Sequence, residues 1–283
     1  MLDKQVAHHF REHADKFDNT KKPLVLFISY NPDPFFLSRS ISLFSGQSFD
    51  VIVFDNGSSN IDLIQSLVSS YQLIAARRNF FIAPVLNSFI FYAHIHRYKH
   101  LLFLDQDTYS YSYTPSHIAR RINSISCAYA AINFNQFSCI GQRQNKYFLF
   151  PNSGTVYNLL LINQIGGIDL RFPLDGLDIE LCSRLNMLKL ETYCHTPSLF
   201  DHTTHQADST AITIFGYQMH LRNYNLKRIQ SITRSNALLF WLAISRKQYH
   251  LMVYLIKITI ALLFGQILVR ILEHKIHLSK ESD

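Results

Sequence analysis

Glycine and cysteine are scarce in this chain of 283 residues, and neither forms a common cofactor-binding or metal-binding pattern. The nine glycines include no G-x-G-x-x-G or Walker A pattern, which argues against a dinucleotide-dependent oxidoreductase and a P-loop enzyme. The four cysteines form no C-x-x-C pair and have no histidine at zinc-finger spacing, so we predict buried thiols of a reducing compartment. The G-x-S-x-G pattern of serine hydrolases is also missing. A ligand must therefore be held by side chains, chiefly carboxylates, rather than by a glycine-rich loop.

The net positive charge lies at one end of the chain. The net charge is +7, and residues 219–283 carry ten Lys or Arg against three acidic residues, whereas the preceding 218 residues carry 17 of each sign. Hydrophobic residues make up 48% of the chain, which excludes disorder and a small disulfide scaffold. The first 22 residues lack the apolar run of a secretory signal. We predict an N-terminal extension over 1–22, a charge-balanced domain over 23–217 and a basic tail over 218–283.

The basic tail contains two apolar runs, 237–244 and 251–272. The second run is long enough to span a bilayer, but Lys257, Gln266 and Arg270 interrupt it, so we favour interfacial helices over a transmembrane helix. A core helix packed on the domain is the alternative. Arg246, Lys247 and Arg270 are expected to face lipid phosphate, which predicts an anionic membrane surface as a partner. No nucleic-acid-binding motif accompanies the charge, so no nucleic-acid partner is expected.

Short apolar runs alternate with segments of helical periodicity from residue 23 to residue 105. The predicted strands are 24–29, 51–54, 73–76 and 101–104, and the predicted helices are 35–44, 61–71 and 83–96. This alternation predicts an α/β fold of Rossmann-like type, with a mostly parallel sheet flanked by helices on both faces. Ligands of such sheets bind at the carboxyl ends of the strands.

Three aspartates lie at the ends of predicted strands: Asp55, Asp105 and Asp107. Asp105 and Asp107 are two residues apart on a short turn, where both carboxylates can converge on one hard cation. Mg²⁺ or Mn²⁺ carrying a diphosphate suits this arrangement, because both ions prefer oxygen ligands from few protein groups together with phosphate and water. A solvated turn after a buried strand is the alternative interpretation.

A second acidic cluster contains Asp175, Asp178 and Glu180, and Arg184 follows it. If Asp178 opens a helix, Glu180 and Arg184 pair at i and i+4. One carboxylate of the cluster is then a candidate general base facing the metal site. Simple helix capping with a surface ion pair is the alternative. His202 is a candidate metal ligand if its strand lies beside both acidic clusters.

Taken in chain order, these segments resemble the motifs of the family 2 inverting nucleotide-sugar glycosyltransferases. The resemblance is strongest to the bacterial rhamnosyltransferase-like branch that builds surface polysaccharide, including O-antigen, and it covers roughly residues 23 to 225. The matching motifs are VLFISYNP (25–32), FDNGSS (54–59), LDQD (104–107), SG (153–154), IGGID (165–169) with Phe172, LDGLDIE (174–180) with Arg184, and YQMHLRN (217–223).

The resemblance implies a GT-A type fold, Mg²⁺ or Mn²⁺ as cofactor, and a sugar donor linked to dTDP or UDP. It also implies a polyprenyl-diphosphate-linked saccharide acceptor at the cytoplasmic face of the inner membrane. Donor binding is implied for Tyr30, Asn31, Asp55, Asn56, Asn79, Asn87 and Asp105, and metal binding is implied for Asp105, Asp107 and His202. Asp178 is implied as the general base, with support from Asp175, Glu180 and Arg184. An acceptor side is implied at Ser153 and Gly154. In the implied mechanism, Asp178 deprotonates an acceptor hydroxyl, and a single displacement inverts the anomeric centre.

The sequence departs from the family pattern after the third predicted strand, where N-x-G-x-A-x-x-x-N is usual. Residues 79–87 read NFFIAPVLN, so Phe81 replaces the glycine and Pro84 opens the helix. Phe81 is expected to reshape the sugar pocket. His202 is followed by Thr-Thr-His where a glycine is frequent in the family.

The function that we expect from the sequence is therefore a metal-dependent inverting glycosyltransferase. One alternative is a catalytically silent nucleotide-sugar-binding or scaffold subunit of a polysaccharide assembly complex. The other is a soluble metal-dependent phosphohydrolase that uses the same carboxylates. The three hypotheses differ in product, since only the first releases a nucleoside diphosphate when acceptor is present and only the last releases inorganic phosphate.

Overall fold

The structure is a computed structural model that describes residues 21–45, 48–68, 72–124, 129–135, 149–202, 210–214, 217–221 and 223–280. Within these ranges, the side chains of residues 201–222 and 272–280 are not described. The chain divides into two compact units, Met1–His202 and Thr203–Asp283.

The first unit is built on a mostly parallel sheet. Its strands are β1 (Leu24–Ser29), β2 (Asp50–Asp55), β3 (Gln72–Ala75), β4 (His100–Asp105), β5 (Thr108–Ser110), β6 (Ala131–Asn133), β7 (Thr155–Asn158), β8 (Thr192–Cys194) and β9 (Phe200–His202). Seven of them form one sheet in the order β3-β2-β1-β4-β7-β6-β8, while β5 and β9 form a separate antiparallel pair. Strand β7 runs antiparallel to both of its neighbours, and the other pairings in the large sheet are parallel.

Helices flank this sheet and bury its apolar strands. They are α1 (Pro34–Phe44), α2 (Ile61–Leu67), α3 (Ile82–Ile95), α4 (Thr114–Ser124), α5 (Leu159–Gln164) and α6 (Leu177–Met187). All six residues of β1 are buried, as expected for a strand of a parallel sheet covered on both faces. Leu37, Ile41 and Phe44 of α1 join the same core, because their spacing places them on one helix face. The predicted α/β fold, with a mostly parallel sheet flanked by helices, is therefore confirmed.

The four strands predicted before residue 105 occur within one or two residues of their expected bounds. Helix α2 is shorter than predicted, since it ends at Leu67. Pro84 lies in the first turn of α3, where the missing N–H costs no helical hydrogen bond. The prediction of buried thiols holds for Cys182. It is wrong for Cys194, which forms a disulfide, and the remaining cysteines lie outside the described residues.

The second unit contains an antiparallel hairpin and two long helices: β10 (Thr210–Ile214), β11 (Tyr217–Leu221), α7 (Leu226–Ser245) and α8 (Tyr249–Lys280). The helices pack through buried Leu239, Ala243, Leu251 and Leu255. The segment Tyr249–Ile271, 23 residues with a mean hydropathy of 2.1, is long and apolar enough to cross a membrane, and 22% of its most apolar window is buried.

Candidate active site

Parallel pairing brings the carboxyl ends of β1, β2 and β4 to one edge of the sheet. Ser29 at the end of β1 lies opposite Asp55, and Ile28 lies opposite Asp105. The two motifs that were predicted to bind the donor and the metal therefore share an edge. Gln106 strengthens this arrangement, because its side-chain oxygen accepts the backbone N–H of Tyr30.

A cavity of about 380 Å³ opens at this edge. The described residues that line it are Ile28, Ser29, Tyr30, Asn56, Asn79, Phe81, Ile82, Asp105, Gln106, Asp107 and Leu174. Five of the predicted site residues belong to this lining: Tyr30, Asn56, Asn79, Asp105 and Asp107. The other predicted residues are not part of this lining, and the side chain of His202 is not described.

The carboxyl group of Asp105 lies in an unusually unfavourable environment for a negative charge. Burial raises its pKa to about 7, and the charges of Asp107 and Asp178 contribute in the same direction. Ser153 offsets part of this effect by hydrogen bonding. Because the charge of Asp178 acts on Asp105, the two acidic clusters that are separate in the sequence lie close together in the fold. A divalent cation between such groups would relieve their mutual repulsion.

Asp55 organises the turn that follows β2. Its carboxylate accepts the backbone N–H groups of Gly57 at 3.2 Å and Ser58 at 2.9 Å, as well as the hydroxyl of Ser58. Asp55 is completely buried and is not among the residues that line the cavity. Asn31, predicted to bind the donor, accepts hydrogen bonds from the backbone N–H and hydroxyl of Ser59. Both side chains thus hold the turn from which Asn56 reaches the cavity.

Asn56 joins this turn to the loop that follows β3. Its amide nitrogen donates to the side-chain oxygen of Asn79 and to the carbonyl of Phe81, each at 3.2 Å, and its oxygen accepts the N–H of Phe80 at 2.8 Å. Gly57 allows the close approach, because a Cβ there would lie 2.5 Å from the backbone carbon of Arg78. The loop at 79–81 is therefore fixed against the turn at 55–58.

Asp178 lies in the first turn of α6, which begins after Gly176 in the left-handed conformation with φ 80°. Burial raises the pKa of Asp178, the nearby charge of Asp175 raises it further, and hydrogen bonds from its own N–H and that of Ile179 oppose the shift. A carboxylate whose protonated form is favoured is a better proton acceptor than an exposed aspartate.

Glu180 and Arg184 form the predicted i, i+4 ion pair, with an N–O distance of 2.8 Å. The alternative of a surface pair is wrong, since the Glu180 side chain is 1% exposed and that of Arg184 is 14% exposed. Arg184 also donates to the carbonyls of Ile165 at 2.7 Å and Gly167 at 2.8 Å. The pair thus anchors the helix that carries Asp178 to the Gly166-Gly167 turn.

Three further predicted residues contact backbone rather than the cavity. Asn87 accepts the N–H of Ile168 and donates to its carbonyl, both at 2.7 Å. Ser153 accepts the N–H of Asp105 at 2.9 Å, and Gly154 donates to the carbonyl of Phe103 at 2.9 Å. Gly154 has φ 77°, and a Cβ there would lie 2.9 Å from the ring of Phe200. Ser153 and Gly154 therefore position the strand end that carries Asp105.

The metal prediction rests on Asp105, Asp107 and His202. Backbone pairing of β5 with β9 places His202 opposite Thr108, the residue that follows Asp107. Among the described side chains, no group of three His, Cys, Asp or Glu is arranged to hold a metal ion. The two aspartates supply hard oxygen donors at the cavity, and this set fits Mg²⁺ or Mn²⁺ that completes its coordination with phosphate and water.

Gln106, Ile82 and Leu174 line the cavity, although they were not predicted to do so. Gln106 could have been identified from its place between the two aspartates. Leu174 could have been identified from its place beside Asp175, because the segment 174–180 was already expected to face the metal site. Ile82 has no such signal, since its position depends on where α3 begins.

The sequence matches no family model and no curated protein. Solved structures with a similar fold include S. aureus TarS, with 16% identity over 63% of this chain and 36% of that chain and a TM-score of 0.49. TarS 1–349 in complex with UDP-GlcNAc has 13% identity over 77% of this chain and 65% of that chain, with a TM-score of 0.49. A cytidylyltransferase from Leptospira borgpetersenii has 11% identity over 66% of this chain and 84% of that chain, with a TM-score of 0.44. This chain thus spans less than two thirds of the TarS chains that it matches.

Proposed function

We propose that this chain is a metal-dependent inverting glycosyltransferase that moves a sugar from a nucleoside-diphosphate donor to a lipid-linked saccharide in surface polysaccharide synthesis. The observation that carries the proposal is that Tyr30, Asn56, Asn79, Asp105 and Asp107 line one and the same cavity. Residues from the first, second and fourth strand ends meet there, at the edge where open α/β sheets bind their ligands.

The donor is a nucleoside diphosphate linked to a sugar, with dTDP or UDP as the nucleotide and rhamnose or another hexose as the sugar. Asn79 offers its amide nitrogen to the nucleoside, Asn56 holds the Asn79 side chain in place, and Tyr30, 46% exposed at the cavity, offers an aromatic face. Asp55 contributes by fixing the turn that presents Asn56.

The donor diphosphate lies at the turn formed by Asp105, Gln106 and Asp107. When bound, Mg²⁺ or Mn²⁺ would be held by Asp105 and Asp107, with His202 as a further candidate ligand, and would neutralise the charge that develops on the departing diphosphate. Ser153 keeps the Asp105 backbone in place through its hydrogen bond of 2.9 Å.

Asp178 is the general base. Its carboxylate accepts the proton of the acceptor hydroxyl as the acceptor oxygen bonds to the anomeric carbon and the bond from that carbon to the diphosphate oxygen breaks. The attack comes from the face opposite the leaving group, so the anomeric configuration inverts. Asp175 raises the pKa of Asp178, and the buried Glu180–Arg184 pair holds its helix.

The acceptor is a saccharide on polyprenyl diphosphate, and the second unit binds the anionic cytoplasmic face of the inner membrane that contains it. Apolar side chains of α8 remain exposed, including Val253 at 52%, Ile260 at 62% and Ile267 at 59%. Lys257 and Arg270 are also exposed on this helix. Apolar burial together with attraction to anionic lipids is the way interfacial helices bind membranes.

Product analysis of the purified full chain tests the proposed function. The chain is incubated with UDP- or dTDP-sugars, Mg²⁺ or Mn²⁺, and a polyprenyl-diphosphate saccharide extracted from membranes. Acceptor-dependent release of the nucleoside diphosphate, with loss of release after EDTA, is the expected result. Release of inorganic phosphate instead would support the phosphohydrolase, and donor binding without any product would support a silent subunit.

A further inference from the structure

Phe81 has a backbone conformation that is almost confined to glycine. It precedes α3 with φ 63° and ψ −178°, a combination in which a Cβ clashes with the neighbouring backbone. A phenylalanine in this region is strained, and such strain persists only where the surroundings impose it.

Hydrogen bonds on both sides impose this conformation. The N–H of Phe81 donates to the side chain of Asn79 at 2.7 Å, and its carbonyl accepts the amide of Asn56 at 3.2 Å. The next two residues donate their N–H groups to the carbonyl of Pro173 at 3.0 Å. The loop is thus held between the turn that carries Asn56 and the segment that leads to Asp178.

Core packing does not account for a phenylalanine at this position, because the residue is 49% exposed. Phe81 lines the cavity together with Asn79, Asp105 and Leu174. A glycine would satisfy the same backbone geometry without strain. We therefore expect the ring to contribute to the binding of a ligand in the cavity rather than to the stability of the fold.

We infer that Phe81 is a specificity-determining residue whose ring contacts the sugar of the donor. This inference rests on the proposed function. The attachment of the Phe81 loop to Pro173 places it beside the segment that carries the general base, where the transferred group must lie. An aromatic face suits the apolar C–H face of a hexose, and it excludes sugars that are too bulky on that side.

A comparison of the variants Phe81→Gly and Phe81→Ala tests the backbone strain at residue 81 without any ligand. Both variants lose the ring, but only Phe81→Gly relieves the backbone, so its melting temperature should exceed that of Phe81→Ala by about 2–4 °C. The neighbouring Phe80, 40% exposed and without positive φ, is the matched control, and there glycine should be the less stable variant. Phe81→Ala at least as stable as Phe81→Gly would overturn the argument from strain.

Calorimetry with UDP and UDP-glucose, and with dTDP and dTDP-rhamnose, tests the contact itself. Phe81→Gly should weaken binding of the preferred nucleotide-sugar about tenfold and change binding of its nucleoside diphosphate by less than about twofold. Phe80→Gly should change neither. Equal losses for the nucleotide and the nucleotide-sugar, or no loss, would overturn the inference. If the wild-type chain binds none of the four ligands, the proposed function fails instead.

Discussion

The two units of this chain bury their apolar residues to very different extents. In the first, β1 and most of β4 are buried beneath helices, and charged groups gather at one sheet edge. In the second, α8 buries one side against α7 and leaves a line of apolar side chains exposed. The whole net charge of +7 also lies in residues 219–283. The comparison separates a charge-balanced unit that presents acids to a ligand from a basic, apolar unit suited to a lipid surface.

The largest effect should follow from removing a carboxylate at the sheet edge. Asp105→Asn is expected to lower turnover at least about a thousandfold, because the variant loses a ligand for the cation at the diphosphate. Its melting temperature should not fall, since the carboxylate is crowded by Asp107 and Asp178. Activity assays and thermal unfolding check both parts. A large loss of stability would show that Asp105 has a structural role.

Arg184→Met should cost about 3–5 kcal/mol of unfolding free energy, because it removes the ion pair that Arg184 forms with the buried carboxylate of Glu180. The matched control is Arg171→Met, which breaks an ion pair with Asp169 in which the arginine side chain is 54% exposed. Exposed pairs contribute at most about 1 kcal/mol. Urea titrations of both variants measure the difference, and equal losses would contradict the assignment of Glu180–Arg184 as the anchor of α6.

The buried imidazole of His100 should make the first unit less stable in acid. Burial lowers its pKa to about 3, and its Nε2 lies 2.7 Å from the hydroxyl of Tyr129. As the pH falls below about 6.5, the unfolded chain binds a proton that the folded chain does not, so stability is lost by up to about 1.4 kcal/mol per pH unit.

Urea titrations between pH 7 and pH 5 should therefore give a flatter pH dependence for His100→Gln than for the wild type. His94→Gln, at an exposed position on α3, is the control and should leave the slope unchanged. An unaltered slope for His100→Gln would mean that this histidine does not resist protonation in the folded state.

The smallest effect concerns single basic residues of the second unit. Lys247→Gln should weaken partition into phosphatidylglycerol vesicles about fivefold, as expected for about 1 kcal/mol per basic residue near an anionic surface. Lys189→Gln removes an exposed lysine of the first unit and should have no effect. Vesicle flotation at low and high salt measures both. Equal effects of the two substitutions would show that vesicle binding depends on the net charge of the chain rather than on the basic residues of the second unit.

Much of the sheet edge could be predicted because its signals are local. The strand β1 and the turns after β2 and β4 are continuous in sequence. Apolar runs followed by Asp55 and Asp105 were therefore sufficient to predict these strands and the turns that end them. The antiparallel β7 and the short β5 could not be found, since three or four residues carry no distinct periodicity and depend on pairing with distant strands. Tertiary pairing, rather than local propensity, determines both.

The site illustrates the same limit. Sequence patterns identified Asp178 and Asp105, but their electrostatic coupling depends on how α6 folds back toward β4. Likewise, the pattern that named Asn87 and Ser153 could not show that they hold the backbone of Ile168 and Asp105. Residue identity carries over from a motif, whereas hydrogen-bond partners depend on the complete fold.

Acceptor-dependent release of nucleoside diphosphate by Asp178→Asn, measured beside donor affinity, tests the central claim most directly. The variant keeps the size of the side chain but cannot accept a proton, so turnover should fall about 10²–10⁴-fold while donor affinity stays within about twofold of the wild type. Asp175→Asn, which removes the neighbouring charge, should retain most of the turnover. Turnover of Asp178→Asn close to that of the wild type would contradict the account.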